Sequence, residues 1–200
     1  MKVHTVLMVS LIAFTLLFAG CGTSPKTQLY VLNTIDKNAS VKAIDADNIV
    51  IKMGPVSLPG SLDKEPIVTR MGSNRLFADE FNRWSGDYQN DIERILGENI
   101  SILLPASEIN LSRETILSPV DFQVFINVRE FDGTLGGIVI LNTNWTVVRK
   151  GKKKTVVSKK SIFQEKTGGP AYEDYVAAQS RLLAKLSQEI ADEIGGQLKK

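Results

Sequence analysis

The 200 residues carry 24 lysines and arginines against 22 aspartates and glutamates, a formal net charge of +2, and 43% of them are hydrophobic. A balance this close to neutral gives no drive toward nucleic acid or any large acidic partner, and the length fits one domain of about 100 to 200 residues. One histidine and one cysteine, both near the N-terminus as His4 and Cys21, leave the rest of the chain unable to build Ser-His-Asp or Cys-His nucleophilic systems, zinc sites of the usual type, or internal disulfides.

The chain opens with an apolar run from Thr5 to Phe18, preceded by Lys2 and His4 and followed by Ala19-Gly20-Cys21. This is the order of charged region, apolar region and small-residue cleavage site in a secretory signal. The run is too short to span a hydrocarbon core of ~30 Å, which takes about 20 apolar residues. Leu17-Phe-Ala-Gly-Cys21 resembles a bacterial lipobox. That resemblance implies a diacylated Cys21 thiol, cleavage ahead of it, and acylation of the new amine with chains such as palmitate. Several chains together hold a protein stably in its membrane, whereas one is marginal. The competing reading is a plain signal peptide with a chance cysteine. We expect residues 1–20 to be the cleaved signal, 21–27 a short lipidated tether and 28–200 one domain. The covalent lipid on Cys21 is the only added group expected, with no cofactor and no metal.

Seven tether residues reach at most ~25 Å at 3.3 to 3.6 Å each, so the domain is expected close to its membrane. Gln28-Leu-Tyr-Val-Leu-Asn33 predicts a first short strand, and a polar stretch from Asp36 to Asp47 leads to a second, Asn48-Ile-Val-Ile-Lys-Met53. Gly54-Pro55 and Val56-Ser-Leu-Pro59 follow, and the prolines place this segment at a sheet edge or in a loop. Phe77, Phe81, Trp84, Tyr88, Ile92, Ile95 and Leu96 recur at helical spacing and predict a helix from Phe77 to Asn99. Ile100 to Leu104 then reads as a short strand stopped by Pro105, with a polar connection to Ser118-Pro119.

Phe122, Val124, Ile126 and Val128 alternate with polar residues, a period of two. Asp132-Gly133 and Gly136-Gly137 mark a turn into Ile138 to Arg149, and Lys150-Gly-Lys-Lys-Lys154 another into Thr155 to Phe163, which suggests an antiparallel meander. After Gly168-Gly-Pro170, Tyr175, Leu182, Leu183, Leu186, Ile190 and Ile194 predict a last helix from Tyr172 to Leu198. The expected fold class is α+β, a largely antiparallel sheet with two long helices on one face and the other face open.

Met53-Gly-Pro-Val-Ser-Leu-Pro59, with Leu62-Asp-Lys-Glu-Pro-Ile-Val-Thr-Arg70, Phe81-Asn-Arg-Trp84, Trp145 and Tyr175-Val-Ala-Ala-Gln-Ser180, resembles the PqiC/YmbA family from about Gln28 to the C-terminus. These are auxiliary lipoproteins of ABC-type, MCE-domain transport systems. The resemblance implies a protein without catalytic residues that docks with an MCE-domain protein in moving lipids between inner and outer membranes, in a homo-oligomeric form that would suit an MCE ring. Gly22 rather than aspartate after Cys21 favours the outer membrane, facing the periplasm. Alternatives of other classes are a structural lipoprotein binding cell wall or another outer-membrane assembly, and an envelope hydrolase using carboxylates. For the last, Asp63, Glu65, Asp79, Glu80, Asp91 and Glu93 all look solvated, and no spacing singles out a pair.

In a docking platform the binding surface is expected in the loop from Leu58 to Arg70, through Leu58, Pro59, Leu62, Asp63 and Arg70, with Arg83 and Trp84 beside it. A fixed Arg-carboxylate pair there would orient a partner. The same residues also fit an ordinary ion-paired loop. Arg83 is either a buried charge bonding that loop or an exposed arginine with its stem over the Trp84 ring. Lys150, Lys152, Lys153 and Lys154, with Lys159 and Lys160, either sit on anionic lipid headgroups, at about 1 kcal/mol each, or form a solvated turn that protects an edge strand.

Overall fold

The structure is a computed structural model that describes residues 25–36, 43–44, 48–111, 113, 119–151 and 154–198. The expected signal, Cys21, most of the polar stretch after Asp36, Ser118, Lys152 and Lys153 lie outside the described residues. Among the described residues, eight strands and two helices follow in the order β1 (Gln28–Tyr30), β2 (Val50–Ser57), β3 (Pro66–Arg70), β4 (Leu76–Trp84), α1 (Tyr88–Leu103), β5 (Glu108–Asn110), β6 (Phe122–Gly133), β7 (Ile138–Arg149), β8 (Lys154–Lys166) and α2 (Tyr172–Leu198).

The α+β class holds, but the sheets are mixed rather than largely antiparallel. A three-stranded sheet runs β1-β4-β3 and a five-stranded one β5-β2-β6-β7-β8. The expected meander is present, with β6, β7 and β8 antiparallel from Phe122↔Arg149 to Ile138↔Lys166. Parallel pairs arise where the connection contains a helix. Between β2 and β6 the chain passes through β3, β4, α1 and β5, and such a crossover returns a strand in the same direction as the first. β1 also lies parallel to β4, Leu29 beside Arg83, although the described elements between them are the strands β2 and β3 and no helix.

The helix expected from Phe77 to Asn99 is two elements. Phe77 and Phe81 belong to β4 and stand 45% and 40% exposed, while α1 begins only at Tyr88 and runs on through the expected strand at Ile100 to end at Leu103. The break is chemical. Ser85-Gly86 interrupts the pattern, and the Asp87 side chain accepts a hydrogen bond from the Asn90 amide at 2.8 Å, the geometry of an N-cap. The first strand is also shorter than expected, ending at Tyr30.

Pro55 sits in β2, which is interior in strand order. Because β5 covers only Val50 to Lys52, the stretch around Pro55 is locally an edge, and the ladder to β6 shifts register there. Val124, Ile126, Leu141, Trp145 and Val147 are buried with Ile92, Ile95 and Leu96 of α1 and Leu182, Leu186 and Ile190 of α2 in one core. The opposite face of the large sheet stays open, with Phe125, Asn127, Asn144, Ser158, Lys160 and Ile162 exposed.

Candidate partner-docking site

After β2, the amides of Leu62 and Asp63 donate to the Pro59 carbonyl at 2.9 and 3.2 Å and fold the loop into a turn. That turn drives Leu62 into the core, 3% exposed, and leaves Asp63 in solvent. The end of the loop is fixed to β4, because the Trp84 amide donates to the Glu65 carbonyl at 2.8 Å and Arg83 is ion-paired with the Glu65 carboxylate. Neighbours in a strand point to opposite sides. Arg83 therefore faces the loop half-buried, while the Trp84 ring turns inward and stacks on Tyr88, centroids 4.2 Å apart and planes within 10°. Arg83 does bond the loop, but as a half-exposed pair with the exposed Glu65 and not as a buried charge.

Asp63, Glu65, Arg83 and Trp84, together with Leu29 and Asp87, line a cleft of about 660 Å³. Three of the expected docking residues, Asp63, Arg83 and Trp84, thus share one site, while Leu62 is in the core. Leu58 and Pro59 instead line a separate groove of about 440 Å³ against Asn127 and Arg129. Arg70 lies at the far end of β3, where Nε and Nη2 donate to Asp132 at 2.6 and 2.8 Å and Nη2 reaches Glu130 at 3.5 Å. Hydrogen bonding to Asp132 raises the guanidinium above its ordinary pKa. The fixed Arg-carboxylate pair of the loop is accordingly Arg83 with Glu65, whereas Arg70 joins the small sheet to the end of β6.

A second, larger groove of about 810 Å³ is lined by Arg70, Met71, Arg75, Phe77, Leu135 and Tyr172 among others. At its edge, burial works against ionised Asp79, but hydrogen bonds from the Phe81 and Asn82 amides and from Asn82 and Tyr172 side chains outweigh it and hold this carboxyl below its ordinary value. Burial, then the bond to Asp79, pushes the Tyr172 hydroxyl up to about 12. Sequence reasoning missed this groove because it placed Phe77 on a buried helical face. Glu93, expected in solvent, is instead 7% exposed and lies against Gly54, whose φ of +83° and lack of a Cβ make the approach feasible.

Lys150 is exposed in the β7–β8 turn, and Lys154 opens β8. Lys159 is engaged elsewhere, with Nζ 2.6 Å from Glu193, 3.6 Å from Glu189 and 5.9 Å from the Trp145 ring centre, so it ties β8 to α2. Among the described residues no group of three His, Cys, Asp or Glu side chains could hold a metal ion, and no helix is long and apolar enough to cross a membrane.

A family model described as ABC-type transport auxiliary lipoprotein component matches residues 30–191. No curated protein matches the chain. Among solved structures, a protein described as uncharacterised has a TM-score of 0.65 at 18% identity, covering 86% of this chain and 99% of its own. A DUF330 protein from Xanthomonas campestris has a TM-score of 0.64 at 14% identity, covering 86% of this chain and 98% of its own. At these identities the two structures show a shared fold.

Proposed function

Because the chain belongs to the ABC-type transport auxiliary lipoprotein components, the PqiC/YmbA-like family, we propose that it docks with an MCE-domain protein of an ABC-type system that moves lipids between inner and outer membranes. In this reading acyl chains on Cys21 hold it in the outer membrane, facing the periplasm, and its role is attachment rather than catalysis. The family is an auxiliary transport component and not a known enzyme family.

The observation that carries the reading is the cleft at Asp63, Glu65 and Arg83. A charged rim lies over a rigid floor: Trp84 and Tyr88 are 4% and 3% exposed and stacked, and the Trp84 amide locks the loop in place. Rigid placement of charges lowers the ordering cost of association, and a carboxylate beside a guanidinium selects a partner of complementary pattern.

The test is to purify the tagged full-length protein from gently solubilised envelopes and identify what accompanies it by mass spectrometry, with Cys21→Ala as the unanchored control. Recovery of an MCE-domain protein, lost with Asp63→Lys or Arg83→Glu, is the expected result. Recovery of cell-wall factors alone, or of nothing, would overturn it and put the structural lipoprotein and the envelope hydrolase ahead of it.

A further inference from the structure

Large apolar side chains are exposed at one end of the molecule. Met71, Leu76 and Phe77 stand 49%, 37% and 45% exposed at the tip of the β3–β4 hairpin, and Ile138 is 49% exposed just after the β6–β7 turn. The two turns lie together, since Met71 and Phe77 share the 810 Å³ groove with Leu135. The tip is held in shape. The Met71 amide donates to the Arg75 carbonyl at 2.8 Å, Gly72 takes a φ of +83°, and Arg70 at its base is clamped on Asp132.

Strand direction tells which way this end faces. β1 is parallel to β4, so the chain enters β1 from the side on which β4 begins, the side of the hairpin tip. Leu29 is level with Arg83, and Arg83 with Pro66. From Pro66 to Arg70 is four steps of about 3.3 Å, which carries the base of the tip some ~13 Å beyond Leu29 toward the incoming tether. The tether from Cys21 spans at most ~25 Å. A leaflet holding the anchor lies within the tether's reach of the tip.

We propose that the β3–β4 hairpin tip inserts Met71, Leu76 and Phe77 into the phospholipid leaflet that holds the Cys21 anchor. Arg75, exposed and without an ion pair among the described residues, supplies a cation at headgroup level, with the stem-in, charge-out geometry that arginine adopts at such interfaces. The groove behind the tip, apolar at Met71, Phe77 and Leu135, gives an acyl chain a place to lie. The Lys150 turn is at the other end of β7, twelve residues or roughly 36 Å away, and faces away from the leaflet. The inference rests on lipidation of Cys21.

The experiment uses the full-length lipidated protein in vesicles of phosphatidylethanolamine and phosphatidylglycerol, some carrying brominated acyl chains. With Cys21 acylated, a single introduced cysteine at Phe77→Cys, Met71→Cys or Lys150→Cys takes one environment-sensitive fluorophore. Labels at 77 and 71 should be quenched, more by bromines high on the chain than by those near its end, because an interfacial segment lies only ~5–10 Å deep. The label at 150 should be unaffected. Vesicle-borne protein with an unquenched label at 77, quenching at 150 instead, or shielding at 77 only when an MCE-domain protein is added would each overturn the insertion. Protein that fails to float with the vesicles would overturn the anchor itself, on which insertion depends.

Discussion

Arg70 and Asp132, 62 residues apart in sequence, meet in a two-pronged pair at 2.6 and 2.8 Å that fastens β3 of the small sheet to the end of β6 in the large one. The two partners differ in burial, with side chains 32% and 5% exposed. Asp132→Asn leaves an arginine that water can reach and should cost about 1.5–3 kcal/mol, the range for hydrogen bonds to charged groups. Arg70→Ala strands a buried carboxylate and should cost more, about 3–5 kcal/mol. Urea unfolding of the two single variants and the double variant checks this, with the double variant less damaged than the sum.

Leu62 and Asp63 are neighbours with opposite duties. Leu62 is 3% exposed in the core and Asp63 is in solvent at the cleft rim. Leu62→Ala should lose about 2–5 kcal/mol through transfer and cavity costs. Asp63→Ala should stay within about 0.5 kcal/mol of the parent, as surface changes usually do. If thermal melts show that pattern, loss of partner capture by an Asp63 variant reports on docking and not on folding.

Stability should fall at both extremes of pH. Asp79 and Glu165 are held below their ordinary 3.8 and 4.5, Asp79 against its burial by the hydrogen bonds it accepts and Glu165 by Lys185 and Arg181. Their contribution is present above those ordinary values and is lost as pH falls through the lower folded ones. Tyr172 is raised from 10.0 to about 12, so its contribution is present below pH 10 and lost as pH rises toward 12. Melts across this range should show a plateau near neutrality, and Asp79→Asn should flatten the acid limb.

Local signals were readable and non-local ones were not. The last helix runs from Tyr172 to Leu198 as its apolar spacing predicts, and Ile138 to Arg149 is a strand as its alternation predicts. Phe77, Phe81, Trp84 and Tyr88 fit a helical period, yet a nine-residue strand from Leu76 to Trp84 carries the first three. Period alone cannot separate these cases when a sheet exposes large side chains. Parallel pairing of β2 with β6 depends on a crossover through four intervening elements, β3, β4, α1 and β5, which no window reveals. At the candidate site, Asp63, Arg83 and Trp84 were foreseeable as a group. The partner of Arg70 was not, because nothing near it in sequence points to Asp132.

Asp87 marks where the helix begins in place of the longer one that the apolar spacing predicts, and it makes a direct prediction. Its side chain accepts from the Asn90 amide at 2.8 Å with the backbone extended at φ −69° and ψ 111°, so it caps the first turn of α1. The first amides of a helix have no partner within it, and a capping oxygen supplies one. Asp87→Ala removes that acceptor and the negative charge next to the positive end of the helix, and should cost about 0.5–2 kcal/mol. Asp87→Asn keeps the acceptor and should recover most of the loss. Because Asp87 also lines the 660 Å³ cleft, hydrogen exchange of the Asn90 amide should rise with Asp87→Ala and stay near the parent with Asp87→Asn. Equal exchange in the two variants would mean that packing of Tyr88 under Trp84, and not the cap, sets where α1 begins.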